Sequence, residues 1–95
     1  MSDEALAMVW LDREGPLRRI AIRVPKGLGN AVTRNRVKRV LREIFRQEKS
    51  KVRQGTDLVL IARPFPPLAR MGFGELREKL VLLFIKAGIW EDMEQ

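Results

Sequence analysis

Gly29 to Arg46 reads G-N-A-V-T-R-N-R-V-K-R-V-L-R-E-I-F-R, and one helix accounts for both its apolar and its charged positions. A helix starting near Thr33 places Val37, Val40, Leu41, Ile44 and Phe45 at steps of three and four, on one face that must be buried. Arg34, Lys38, Arg42 and Arg46 follow at intervals of four along the exposed side, and Arg36 and Arg39 widen the row. Like charges so spaced repel by roughly 0.2–0.5 kcal/mol per pair, so the row weakens the helix unless a polyanion neutralises it. An ordinary solvated helix, with arginine stems lying over the core, is the competing explanation. Charge segregation argues against it: Arg18 to Arg53 holds thirteen basic residues and two acids, Glu43 and Glu48, whereas the rest of the chain holds six and ten. With a net charge of +7, this asymmetry is an electrostatic footprint for nucleic acid rather than a general aid to solubility.

Outward from the helix, the chain predicts one domain over residues 1–95. Ile20, Ile22 and Val24 alternate with Arg19, Ala21 and Arg23, the pattern of a strand with one buried and one basic face. Pro25-Lys26-Gly27-Leu28-Gly29 breaks that strand and leads into the helix, with Asn30 or Thr33 as its cap. Ahead lies an apolar run, Leu6 to Leu11, closed by Asp12-Arg13-Glu14-Gly15-Pro16, and this turn chemistry predicts a hairpin. Beyond Gly55, the wholly apolar Leu58 to Ala62 predicts a central strand. A second amphipathic helix is expected over about Phe73 to Ala87, with Phe73, Leu76, Leu80, Leu83 and Phe84 inward and Gly88 as its stop.

Several chemistries are excluded. The chain has no cysteine, which removes disulfides, thiolate nucleophiles and Cys-based zinc sites. It has no histidine, which removes imidazole acid–base catalysis and imidazole metal ligands. The wholly apolar runs Ala5 to Leu11 and Leu80 to Ile85 both fall far short of the ~18 residues of a membrane span, and the acidic N-terminus does not resemble a signal peptide. A cytoplasmic protein with no membrane partner is expected. Gly27-Leu28-Gly29-Asn30 fits neither the dinucleotide fingerprint nor the P-loop. Arg34-Asn35-Arg36 is more suggestive: arginine forks match phosphate oxygens, and asparagine can bond a base edge, a ribose hydroxyl or a capping amide.

These residues resemble the protein subunit of bacterial ribonuclease P. The resemblance rests on Lys26, Gly29-Asn30-Ala31-Val32, Arg34-Asn35-Arg36, Lys38-Arg39 and Arg42-Glu43, and on Gly55, Asp57, the apolar run to Ala62, and Arg63-Pro64. It covers roughly Met8 to Gly88. It implies an α+β fold: a two-layer sandwich with a small, mostly four-stranded and mostly antiparallel sheet, a left-handed β-α-β crossover through the basic helix, and a C-terminal helix. It also implies an endoribonuclease whose catalyst is the RNA subunit, using Mg²⁺ held mainly by RNA to remove the 5′ leader of precursor tRNA. Carried onto this sequence, the RNA surface comprises Lys26, Asn30, Arg34, Asn35, Arg36, Lys38, Arg39, Arg42 and Arg46. Trp10, Arg19 and Arg23 are candidates for the leader cleft, because aromatic planes stack single-stranded bases and sheet arginines can meet their phosphates, although the place of Trp10 in an apolar run favours the core over a stacking platform.

The sequence departs from the family in places. A basic, aromatic N-terminal helix usually precedes the first strand, and nothing from Met1 to Ala5 can replace it; leader recognition is thereby weakened, and self-association could cover the apolar face left open. Gly27 stands where a second lysine is usual, Pro25 where a small polar residue is common and Ala21 where glycine is frequent. Two other classes fit less well. One is a non-catalytic, ribosomal-type RNA-binding module. The other is a helix-turn-helix DNA binder, for which a strand stands where the supporting helix should be.

Overall fold

The computed structural model describes residues 2–91. In chain order these form β1 (Leu6–Asp12), β2 (Arg18–Arg23), α1 (Ala31–Glu48), β3 (Thr56–Ala62) and α2 (Phe73–Ala87). Short 3-10 turns lie at Lys26–Leu28, Lys49–Lys51 and Pro66–Arg70.

β3 is central, as its apolar run predicts, and the strand order is β1-β3-β2. It pairs antiparallel with β1, Trp10 opposite Leu58, and parallel with β2, Ile20 opposite Leu58. The crossover from β2 to β3 runs through α1. The sheet thus has three strands among the described residues, with one antiparallel and one parallel ladder, where a mostly four-stranded, mostly antiparallel sheet was expected.

The predicted hairpin does not form, because β3 lies between β1 and β2. Asp12 and Arg18 both flank Thr56, so residues 13–17 arch over the start of β3. Gly55 fits beneath the arch at φ +73, donating to Leu17 O at 3.0 Å and accepting from Arg13 N at 2.6 Å. A Cβ there would stand 2.2 Å from Arg13 O, so only glycine fits without a shift. The Asp12–Pro16 turn signal is real, but it builds an arch.

The core lies on one face of the sheet. Leu6, Met8, Ile22, Leu58, Leu60 and Ala62 alternate inward and join Val37, Leu41, Ile44 and Phe45 of α1 and Leu76, Leu80, Leu83 and Phe84 of α2. Phe73, expected inward, is 37% exposed at the first turn of α2. Gly88 ends that helix in the left-handed region, its N–H shared between Ile85 O and Phe84 O. The opposite face of the sheet is open to solvent among the described residues, and Val9 and Leu11 are exposed there.

Candidate nucleic-acid interface

α1 begins two residues before the expected start because Asn30 caps it: the Asn30 Oδ1 accepts the Thr33 N–H at 2.9 Å. Asn30 therefore has a structural task, with its amide nitrogen and one lone pair of Oδ1 left for a partner. Asn35 is not a cap. It lies inside the helix, its side chain exposed and without a hydrogen-bond partner among the described residues.

The row at intervals of four is electrically uneven. Arg34 turns back to donate to Gly29 O at 2.8 Å. Arg46 forms a two-point ion pair with Glu43, with Nε to Oε1 at 3.0 Å. That guanidinium, helped by an N–H of Gln47, holds the exposed Glu43 carboxyl down to about 2. The same contact raises Arg46 above its ordinary value. Between these ends, Lys38, Arg39 and Arg42 have no ion pair or side-chain hydrogen bond among the described residues. The repulsion expected along the row is thus relieved at its two ends and left standing in the middle. Arg36 points aside, donating through Nη2 to Ala69 O at 2.6 Å and Met71 O at 3.3 Å.

Lys38 also reaches a cleft of about 560 Å³ between the β2 edge and the start of α1. Arg23 and Lys26 line it with Lys38, over Ile22, Val24 and Ile61. The three cations are unpaired among the described residues, so the cleft is an electropositive hollow with an apolar floor. A second hollow, about 290 Å³, lies along the far half of α1 between Arg39, Arg42, Arg46 and Lys49, over Phe45. Lys49 was missed from sequence although it continues the basic row three residues past Arg46, just beyond the helix end.

The three candidates for a leader cleft do not come together. Arg23 lines the first cleft, but Arg19 is held by Asp57 at 3.0 and 2.8 Å, and Asp57 also takes Arg13 at 2.8 Å. Trp10 lies on the opposite face, half-buried against the core. Among the described residues, no three His, Cys, Asp or Glu side chains converge to hold a metal ion. No helix among them is long and apolar enough to cross a membrane.

A three-stranded sheet backed by two helices, with cations unpaired among the described residues gathered on one helix, defines a small basic α+β protein with a concentrated positive surface. The family model described as Ribonuclease P matches residues 1–88, and the chain belongs to the ribonuclease P protein family. The ribonuclease P protein component of Geobacillus thermodenitrificans is 46% identical over 79 residues, which is 82% of this chain and 64% of that protein. That of Bacillus cereus is 41% identical over 80 residues, 83% of this chain and 68% of the relative. The chain therefore spans just under two thirds of the first of these relatives. Among solved structures, the Staphylococcus aureus RNase P protein superposes with a TM-score of 0.81 at 29% identity, covering 96% of this chain and 82% of that one. The Thermotoga maritima protein gives 0.79 at 33%, covering 88% and 78%.

Proposed function

We propose that this chain acts in the cytoplasm as the protein component of a ribonuclease P ribonucleoprotein. It binds the catalytic RNA subunit and precursor tRNA and assists Mg²⁺-dependent removal of the 5′ leader. The observation that carries this reading is the set of cations unpaired among the described residues, Lys38, Arg39 and Arg42, continuous through Lys38 with Arg23 and Lys26 in the adjoining cleft. They supply charge and no reactive group, which suits a subunit that positions RNA while the RNA performs the hydrolysis. Mg²⁺ belongs to the RNA in this reading: the two carboxylates of α1, Glu43 and Glu48, are bonded to Arg46 and Arg77. The leader is assigned to the Arg23–Lys26–Lys38 cleft, where a single strand finds phosphate partners above an apolar floor.

Single-turnover cleavage of a leader-bearing precursor tRNA by a bacterial ribonuclease P RNA at low Mg²⁺, with and without the protein, tests this reading. Stimulation that Arg39→Ala and Arg42→Ala diminish supports it. Tight RNA binding with no stimulation of cleavage overturns the cofactor role and leaves a ribosomal-type binding module. Sedimentation of the free protein reports whether the open sheet face, with Val9 and Leu11 exposed, closes on a second copy.

A further inference from the structure

Arg36 stands inside the basic motif, yet it faces away from the cleft. At about 100° per residue, it is displaced some 160° around α1 from Lys38, so the two mark opposite flanks of the exposed surface. Its Nη2 bonds the carbonyls of Ala69 and Met71, the two residues that bracket Arg70. The turn Pro66–Arg70 is fixed from below as well. Leu68 is fully buried, its N–H bonded to Phe65 O at 2.9 Å, and its carbonyl accepts the Met71 N–H at 3.3 Å. Arg70 is left exposed on a turn held at two points, its guanidinium without an ion pair or hydrogen bond among the described residues.

A buried leucine and an arginine staple thus fix this short surface turn from two sides. Both bonds come from one nitrogen, Nη2, whose two N–H groups can serve one carbonyl each. The turn packs against α1 and beside the Lys26–Leu28 turn, so Arg70 extends the charged surface of α1 onto its neighbouring loop. We propose that Arg70 is a contact to the RNA backbone and that Arg36 is a positioning residue that presents it, rather than a phosphate ligand itself. This rests on the reading that α1 faces RNA.

The test is the salt dependence of binding to a ribonuclease P RNA transcript by the full chain and by Arg70→Ala, Arg70→Lys, Arg36→Ala and the Arg36→Ala/Arg70→Ala double variant. Losing one phosphate contact lowers the slope of log affinity against log salt by about 0.7 to 0.9, which is about fivefold in affinity near physiological salt. Arg70→Ala should show that loss and Arg70→Lys should restore the slope, since a phosphate contact needs charge and a packing role does not. Arg36→Ala should show a similar loss, and the double variant no more than one contact's worth. An unchanged slope in Arg70→Ala, an exposed change that leaves the staple in place, overturns the assignment. So does a double variant that loses two contacts, because Arg36 would then bind phosphate independently. If the unaltered protein shows no salt-dependent binding, the proposed function itself fails; if it does and Arg70→Ala matches it, only this inference fails.

Discussion

Replacing Gly55 by alanine tests the arch on which the strand order depends. At φ +73 an alanine occupies the left-handed region, which costs about 1–2 kcal/mol for a residue with a Cβ. Its Cβ would stand 2.2 Å from Arg13 O, so the arch must move by roughly an ångström to reach ordinary contact distance. That movement strains two hydrogen bonds, Arg13 N–H to Gly55 O and Gly55 N–H to Leu17 O, each worth about 0.5–1.5 kcal/mol net. Losing one of them with the backbone term gives about 2.5 kcal/mol, or a fall in Tm of about 10–20 °C for a domain of this size. Thermal and urea unfolding followed by circular dichroism would measure it. Gly72→Ala is the control: nothing lies within 4 Å of its Cβ, and its φ of −80 is ordinary. If Gly55→Ala unfolds within about 0.5 kcal/mol of Gly72→Ala, the size expected of an ordinary surface change, the arch and the close approach it imposes are wrong.

Three further outcomes follow from the pairing pattern. Arg42→Ala should lower the salt slope of RNA binding by about 0.7 to 0.9, and Arg46→Ala by less, since Arg46 must first leave Glu43; filter binding across a salt series distinguishes them. The Glu43 carboxyl, held down to about 2 in the folded chain, contributes stability that is present above its ordinary value of 4.5 and lost as pH falls through about 2. Acid titration of Glu43→Gln should therefore lack that part of the decline in helix signal, and identical curves would contradict it. Glu48→Ala removes the nearly buried partner of Arg77 at 2.9 Å; because Arg77 is 40% exposed and can turn to water, the expected loss is about 1–2 kcal/mol rather than that of a fully buried pair, read by urea unfolding.

The elements legible in the sequence were those set by local periodicity. α1 and α2 follow from steps of three and four, and the central place of β3 follows from an uninterrupted apolar run. The misread hairpin shows the boundary of such reading. Asp12 to Pro16 has the same turn chemistry whether it joins neighbouring strands or spans a third, and only the later arrival of β3 decides between them. Gly55 was the available sign, a lone glycine before the central strand. Trp10 had a clearer one: Leu6, Met8 and Trp10 share a face at period two, which assigns the indole to the core side. The partners of Arg19 and Arg36 had no local sign, because their bonds cross 38 and 33 residues of chain.

Those long-range bonds explain how a net charge of +7 becomes a directed surface. Asp57 takes Arg13 and Arg19, Asp12 takes Arg53, Glu48 takes Arg77, and Asp3 and Glu4 share Lys79. Each of these acids neutralises a cation away from the outer face of α1, and Glu43 quiets only the end of that helix. Among the described residues, what the fold leaves unpaired on α1 is Lys38, Arg39 and Arg42, with Arg23 and Lys26 beside them in the cleft. Composition alone puts thirteen cations between Arg18 and Arg53, and tertiary pairing decides which of them remain available to a polyanion. Charge counting therefore points to a segment, whereas the contacts distinguish the residues within it. Arg36 makes the distinction plain, since it has full charge and a central place in the motif but its geometry is directed at two backbone carbonyls.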